Sequence, residues 1–151
     1  MVPDQFVEMA RAYRILGEIN PAQLRKLLPV AEDQQFQTGQ IIFREGDRST
    51  HLHLIVAGDV ALEETAGGQP LRVQTLHAGE AMGWSALTAE SRTHFQARAL
   101  SPVSTVAFPG ETLREACDHN PDMGYALMKQ LLALVTERLD ATRMQLTARH
   151  G

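Results

Sequence analysis

The sequence predicts a mainly β protein with flanking α-helices, in which an antiparallel barrel or jelly roll lies between short N-terminal helices and a long C-terminal helix. Short apolar runs punctuated by glycine fill the middle of the chain. Apolar residues at helical spacing and Asn-Pro helix starts lie on both sides of them, and no segment between the runs is long enough for a crossover helix. The length of 151 residues is that of one domain.

We therefore interpret residues 1–151 as a single domain. Residues 1–33 are expected to form N-terminal helices, residues 34–110 the β region, and residues 111–151 C-terminal helices.

The composition excludes several classes of protein. Hydrophobic residues make up 44% and charged residues 21% of the chain, as in a globular domain with a sizeable core. The 14 basic and 18 acidic residues give a net charge of −4, which disfavours nucleic acid as a partner. The apolar runs are too short to cross a membrane, and the acidic N-terminus lacks the features of a signal peptide. With a single cysteine, Cys117, the chain is expected to be cytoplasmic.

Two short helices are predicted before the β region. Gly17 is expected to end the first, and Asn20-Pro21 to begin the second, with Asn20 as N-cap and Pro21 as the first helical residue. Their apolar stripes consist of Val7, Ala10, Ile15 and Leu16 in the first helix and of Leu24, Leu27, Leu28 and Ala31 in the second.

The β region contains six apolar runs of strand length, with glycines between or beside them. Residues 82–89 are small and mildly apolar, and are expected to form one helical turn. The predicted strands cover residues 41–43, 52–56, 60–62, 71–76, 95–100 and 103–108.

A helix of about 28 residues, about 40 Å long, is predicted to begin after Asn120-Pro121. A second apolar face of Leu127, Leu131 and Leu134 is present only in its first half. Either the helix lies entirely on its own core, or one face packs on the β region while another pairs with a second helix. We favour pairing, because the main seam continues where no local core is evident. That seam repeats in steps of three and four and consists of Tyr125, Met128, Leu132, Val135, Leu139, Thr142 and Leu146.

Two segments resemble the cyclic-nucleotide-binding domain family, which includes the catabolite activator protein, kinase regulatory subunits and gated channels. Residues 39–47 read Gly-Gln-Ile-Ile-Phe-Arg-Glu-Gly-Asp, and residues 52–60 read Leu-His-Leu-Ile-Val-Ala-Gly-Asp-Val. The resemblance runs from about Ile15 to Leu146 and implies a flattened antiparallel β-roll, a double-stranded β-helix of the jelly-roll type. A Gly-Trp-Ser-Ala-Leu stretch at residues 83–87 resembles that of a subset of short, single-domain bacterial members without a helix-turn-helix.

The resemblance also implies a ligand site. In the family, a short helix presents backbone N–H groups to a cyclic phosphate, an arginine pairs with that phosphate, and a glutamate accepts the ribose hydroxyl. The corresponding cassette here is residues 79–94. The expected ligand-binding residues are Gly79, Glu80, Met82, Gly83, Trp84, Ser85, Ala86, Arg92 and Thr93.

The cassette departs from the family pattern at two positions. Trp84 replaces the glutamate, and Thr93 stands where the phosphate arginine would lie, with Arg92 one residue earlier. A one-residue offset on an extended segment turns a side chain to the opposite face. Binding of cyclic AMP or cyclic GMP is therefore expected to be weakened. Trp84 either stacks on a planar ligand or fills a disused pocket.

The histidines and the lone thiol are candidate metal or haem ligands. His51 and His53 share one face of a strand, but a cupin-type site would need a glutamate where Ala57 and Gly58 stand, so we expect no metal. The scattered His77, His94, His119 and His150, and Cys117, leave a haem ligand as a weak alternative.

The functional expectation is a non-enzymatic regulatory module that requires no cofactor. The chain has no catalytic signature, and no helix-turn-helix follows the long helix as it does in the DNA-binding relatives. The alternative is a ligand-free interaction module that keeps only the fold and the dimer helix and binds a protein partner. We expect a parallel homodimer formed through the seam residues Met128, Leu132, Val135, Leu139 and Leu146.

Overall fold

Two four-stranded antiparallel sheets face each other in the computed structural model, which describes residues 2–89 and 92–150. One sheet has the strand order β1-β8-β3-β6 and the other β2-β7-β4-β5. The predicted mainly β fold with flanking helices is thus confirmed. The strands are β1 (Glu32–Phe36), β2 (Ile41–Phe43), β3 (His51–Ala57), β4 (Val60–Ala66), β5 (Gln69–Leu76), β6 (Ala81–Met82), β7 (Gln96–Ala99) and β8 (Val103–Pro109).

Strands β1 and β6 were not among the predicted runs. Strand β1 is polar and pairs with β8 alone, so it carries only the partly buried Gln34 and Phe36 toward the interior. Strand β6 has two residues and is fixed by His53 and Leu54 of β3. Neither strand buries enough apolar surface to produce an alternating pattern in the sequence.

Four α-helices cover the roll. The first is shorter than predicted: α1 ends at Arg11, and a separate 3₁₀ turn covers Arg14–Leu16. The second begins as predicted, because the Asn20 side chain accepts a hydrogen bond from the backbone N–H of Ala22 at 2.8 Å. The helices are α1 (Pro3–Arg11), α2 (Pro21–Arg25), α3 (Gly110–His119) and α4 (Pro121–His150).

The interior is divided into two apolar clusters. One fills the space between the two sheets and includes Ile55, Leu62 and Val103. The other joins both ends of the chain to the outside of the roll, where Ile15 and Leu127 are fully buried together with residues of β3 and β8. Helix α4 is therefore held against the roll through its first half, and its second half extends past the cassette.

Candidate functional site

The cassette contains a glycine that no other residue could replace without strain. Gly83 has φ +77°, and a Cβ atom there would lie 2.5 Å from the carbonyl oxygen of His51. This close approach lets β6 run along β3 and then turn at once into a 3₁₀ turn at Trp84–Leu87, the helical turn predicted from the sequence.

The 3₁₀ turn is fixed from below by α3. The carbonyl oxygen of Ala86 accepts a hydrogen bond from Nη1 of Arg114 at 2.6 Å. Gly110 lies so close that a Cβ atom there would be 2.3 Å from the same oxygen. The hydroxyls of Ser85 and Ser49 are 2.6 Å apart. These contacts hold the turn at Trp84–Leu87 in place, and we call this turn the platform.

A cavity of about 630 Å³ lies between this platform and the second half of α4. Its floor includes Val73 and Glu80 of the roll, and Leu134, Arg138 and Leu146 of α4 form its roof. A neighbouring cleft of about 50 Å³ runs under Trp84. A cavity of this size, mostly apolar with a few charged groups, is of the kind that binds small organic molecules.

Arg138 stands at the junction of the two spaces. Its guanidinium carbon lies 4.2 Å from the centre of the Trp84 ring and 5.7 Å from that of Phe95. Burial lowers the pKa of Arg138, and the nearby carboxylate of Glu80 opposes that shift. The group stays protonated, as arginine does in proteins, so helix α4 brings a positive charge onto the cassette.

Comparison of the sequence with models of known protein families identifies the family of this chain. The model described as "Cyclic nucleotide-binding domain" matches residues 33–120, more than half of the chain. The chain belongs to this family. The match covers the β-roll, the cassette and α3.

Solved structures of family-type proteins superpose on most of the chain. A candidate cyclic nucleotide-binding protein from Geobacter metallireducens GS-15 is 29% identical, with a TM-score of 0.78 over 92% of this chain and 98% of that one. The catabolite activator protein of Thermus thermophilus is 24% identical, with a TM-score of 0.74 over 91% of this chain and 63% of that one. The chain thus shares its fold with these two proteins.

One curated relative is much longer than this chain. Lysophospholipase nte1 of Neurospora crassa is 26% identical over 127 residues. The match takes in 83% of this chain but only 8% of that protein.

The structure places the cassette residues predicted from the sequence in several different surroundings. Gly79 and Glu80 line the larger cavity, Trp84 lines both spaces, and Ala86 is buried beneath the turn. Arg92 is exposed, and its Nη1 donates to the carbonyl oxygen of Gly46 at 2.9 Å. The remaining residues line the smaller cleft: Met82, Gly83, Ser85 and Thr93.

Thr93 does not replace the charge of the family's phosphate arginine. Its buried hydroxyl donates to the carbonyl oxygen of Arg44, and its backbone N–H donates to Asp47 at 2.9 Å. The residue therefore closes the loop after β2 onto the cassette, and it offers no cation to a ligand.

Arg138 is not among the site residues predicted from the sequence. The signal was present, because the second apolar face of Leu127, Leu131 and Leu134 advances in steps of four and three, and a further step of four reaches position 138. A residue on that stripe faces the roll, as Leu127, fully buried, already does.

The N-terminal segment is attached to both sides of the cavity. The hydroxyl of the buried Tyr13 donates to the carbonyl oxygen of Ile55, and burial raises the pKa of this phenol. Nη1 of Arg14 lies 2.6 Å from Oε1 of Glu137, next to Arg138. Lys129 and Glu18 form a second ion pair at 2.9 Å. The segment thus links the roll to α4.

The paired histidines of β3 have protein partners. Nε2 of His51 lies 2.6 Å from a carboxylate oxygen of Glu32, and Nδ1 of His53 lies 3.1 Å from the hydroxyl of Thr105. Burial, together with the charge of His51, lowers the pKa of His53 to about 4. Within residues 2–89 and 92–150, no cluster of three or more histidine, cysteine, aspartate or glutamate side chains could hold a metal.

Two of the candidate haem ligands, His77 and His119, contact protein groups. His77 is exposed and lies 2.7 Å from Asp59, while His119 is exposed and contacts the carbonyl oxygen of Glu115. Burial and the nearby Asp118 raise the pKa of the Cys117 thiol. The side chain of His150 lies outside the described residues.

The seam on α4 is exposed. Met128, Leu132, Val135 and Leu139 present large apolar side chains to solvent, and Leu146 does so at the edge of the larger cavity.

None of the helices in the described part of the chain has the length and apolar character needed to span a membrane.

Proposed function

We propose that the chain is a non-enzymatic regulatory module that binds a small ligand between the β-roll and α4 and transmits its presence through a homodimer of α4 helices. Cyclic AMP and cyclic GMP are the ligands proposed first, because the chain belongs to the cyclic-nucleotide-binding domain family. The cytoplasm is the proposed location, on the basis of the lone cysteine.

One observation carries this proposal: α4 contributes both the roof of the 630 Å³ cavity and the exposed apolar seam. Leu134 and Arg138 face the cavity, while Val135 and Leu139 directly beside them are exposed. A ligand that changes how α4 lies on the roll would therefore change the position of the seam in the same movement.

The homodimer is proposed from the area of the seam. An apolar stripe that extends over three turns of an exposed helix is unusual on a monomeric protein. A second copy of the chain presents the same stripe, and a symmetric pair with parallel α4 helices buries both stripes at once. The two roofs would then lie on either side of one shared helix pair.

A ligand-free interaction module is the second candidate, and the filling of the cassette favours it. Trp84 and Arg138 stack on each other above a cleft of only about 50 Å³, and the hydroxyl of Thr93 is bound to a backbone carbonyl. In this case, the function of the chain would be to bind a partner through the seam, without a ligand.

Calorimetric titration of the purified chain with cyclic AMP and cyclic GMP separates the two candidates. The proposal expects saturable binding at micromolar to submillimolar concentration by at least one of them. Mass spectrometry of the denatured protein would show any small molecule that co-purifies. No binding below about 1 mM, together with no co-purifying molecule, would refute the ligand-binding proposal in favour of the interaction module.

A further inference from the structure

Neither of the two cassette positions considered for the phosphate arginine, Arg92 and Thr93, presents a guanidinium to the two spaces. Thr93 is neutral, and its hydroxyl is held by the carbonyl oxygen of Arg44. Arg92 is exposed and donates to the carbonyl oxygen of Gly46. If the site binds a phosphate through a guanidinium, that guanidinium must come from another element.

Arg138 is the guanidinium that lies against both spaces. It lines the smaller cleft together with Gly83, Ser85 and Thr93, and it also lines the larger cavity. Its guanidinium carbon lies over the Trp84 ring, and a guanidinium in contact with an aromatic ring keeps N–H groups that can donate hydrogen bonds.

One nitrogen of Arg138 lacks a hydrogen-bond acceptor in the described part of the chain, and a ligand could provide it. Its Nε atom is buried, and it has no hydrogen-bond partner among the described residues. A buried charged donor without an acceptor is unfavourable, and an anionic oxygen at the cleft would supply one. Arg14, in contrast, is already paired with Glu137.

The sizes of the two spaces match the parts of such a ligand. The smaller cleft, about 50 Å³, has room for a few atoms, and the larger cavity, about 630 Å³, has room for a ring-sized organic body. Trp84 and Arg138 lie on the boundary between them, where the anionic group and the body would be joined.

We propose that Arg138 of α4 takes the role of the phosphate-pairing arginine in this chain, so that an organic phosphate of nucleotide size is bound jointly by the cassette and by α4. This inference rests on the proposed function and adds to it the residue that recognises the charge. Because Arg138 lies on α4, its attraction to the phosphate would pull α4, and with it the seam, toward the ligand.

Ligand binding can be measured by the fluorescence of Trp84, because it is the only tryptophan of the chain and contacts Arg138. Its emission would be followed during titration with cyclic AMP and cyclic GMP, for the unaltered chain and for Arg138→Gln, Arg138→Lys and Arg143→Gln. Arg143 is an exposed arginine of the same helix and serves as the matched control. Circular dichroism would establish that each variant is folded.

We expect Arg138→Gln to weaken binding about 10- to 100-fold, as loss of a charge-assisted hydrogen bond does, and to flatten the salt dependence of the affinity. Arg138→Lys should lose less, and Arg143→Gln should bind as the unaltered chain does. Equal binding by Arg138→Gln, or equal losses in the Arg138 and Arg143 variants, would overturn the role of Arg138 alone. If the unaltered chain binds neither nucleotide and carries no co-purifying molecule, the proposed function is refuted and this inference with it, whereas a co-purifying molecule without a phosphate would overturn the inference alone.

Discussion

Replacing Val135 and Leu139 together by glutamate should convert the proposed dimer into folded monomers. The two side chains are one helical turn apart on the seam and are 44% and 58% exposed, respectively. Full burial of a valine or leucine side chain contributes about 1.5–3 kcal/mol, so burying the exposed half of each contributes about 1 kcal/mol.

A symmetric dimer buries four such side chains, so the double substitution removes about 4 kcal/mol of association free energy. That corresponds to about three decades in the dimer dissociation constant, and the four carboxylates facing one another would add to the loss. Stability of the protomer should change little, because the seam does not belong to the buried clusters of the fold.

Sedimentation velocity at 1–100 μM, on the order of typical dissociation constants for such pairs, would measure the change. The control is Gln35→Glu with Gln37→Glu, which adds the same charge at exposed positions of the roll. An unaltered chain that sediments as a monomer at these concentrations, or a seam variant that remains a dimer, would show that α4 does not pair as proposed.

Two further predictions concern the platform and β3. Gly110→Ala should lower the free energy of unfolding, measured by urea titration, by about 2 kcal/mol or more, because the added Cβ would overlap the carbonyl oxygen of Ala86. The control is Gly39→Ala, where no atom of the described residues lies within 4 Å of the added Cβ. It should cost only the roughly 1–2 kcal/mol of a non-glycine residue in the left-handed region. The pKa of His53 is about 4 in the folded protein, so between pH 6.5 and 4 this histidine binds fewer protons in the folded than in the unfolded chain. The free energy of unfolding should therefore fall by about 3 kcal/mol as the pH is lowered from 6.5 to 4. His53→Gln should flatten this part of the profile, and an unchanged slope would contradict the assignment.

The sequence was sufficient wherever local chemistry determines the structure. Asn20 caps α2 as predicted, and the side chain of Asn120 accepts a hydrogen bond from the backbone N–H of Met123 at the start of α4. The turn at Trp84–Leu87 and the exposure of the seam were also predicted, because each depends on residues a few positions apart.

The sequence was insufficient where contacts join distant segments. Strand β1 exists because β8, about seventy residues away, supplies its hydrogen bonds, and its own residues give no apolar pattern. The place of Arg138 on Trp84 depends on the angle at which α4 crosses the roll, which is set by packing far from position 138. Conversely, Arg92 is adjacent to the cassette in sequence, but its guanidinium donates to Gly46.

The attachment of the N-terminal segment to α4 has a consequence for the way the chain folds during its synthesis. Ile15 and Leu127 belong to one cluster, and Arg14 pairs with Glu137 across 123 positions, so the N-terminal helices cannot complete their packing until α4 has left the ribosome. The roll can close earlier from its own hairpins, whereas the apolar side chains of the N-terminal helices stay partly uncovered. We expect the helical layer to be the last part to acquire protection from hydrogen exchange during refolding.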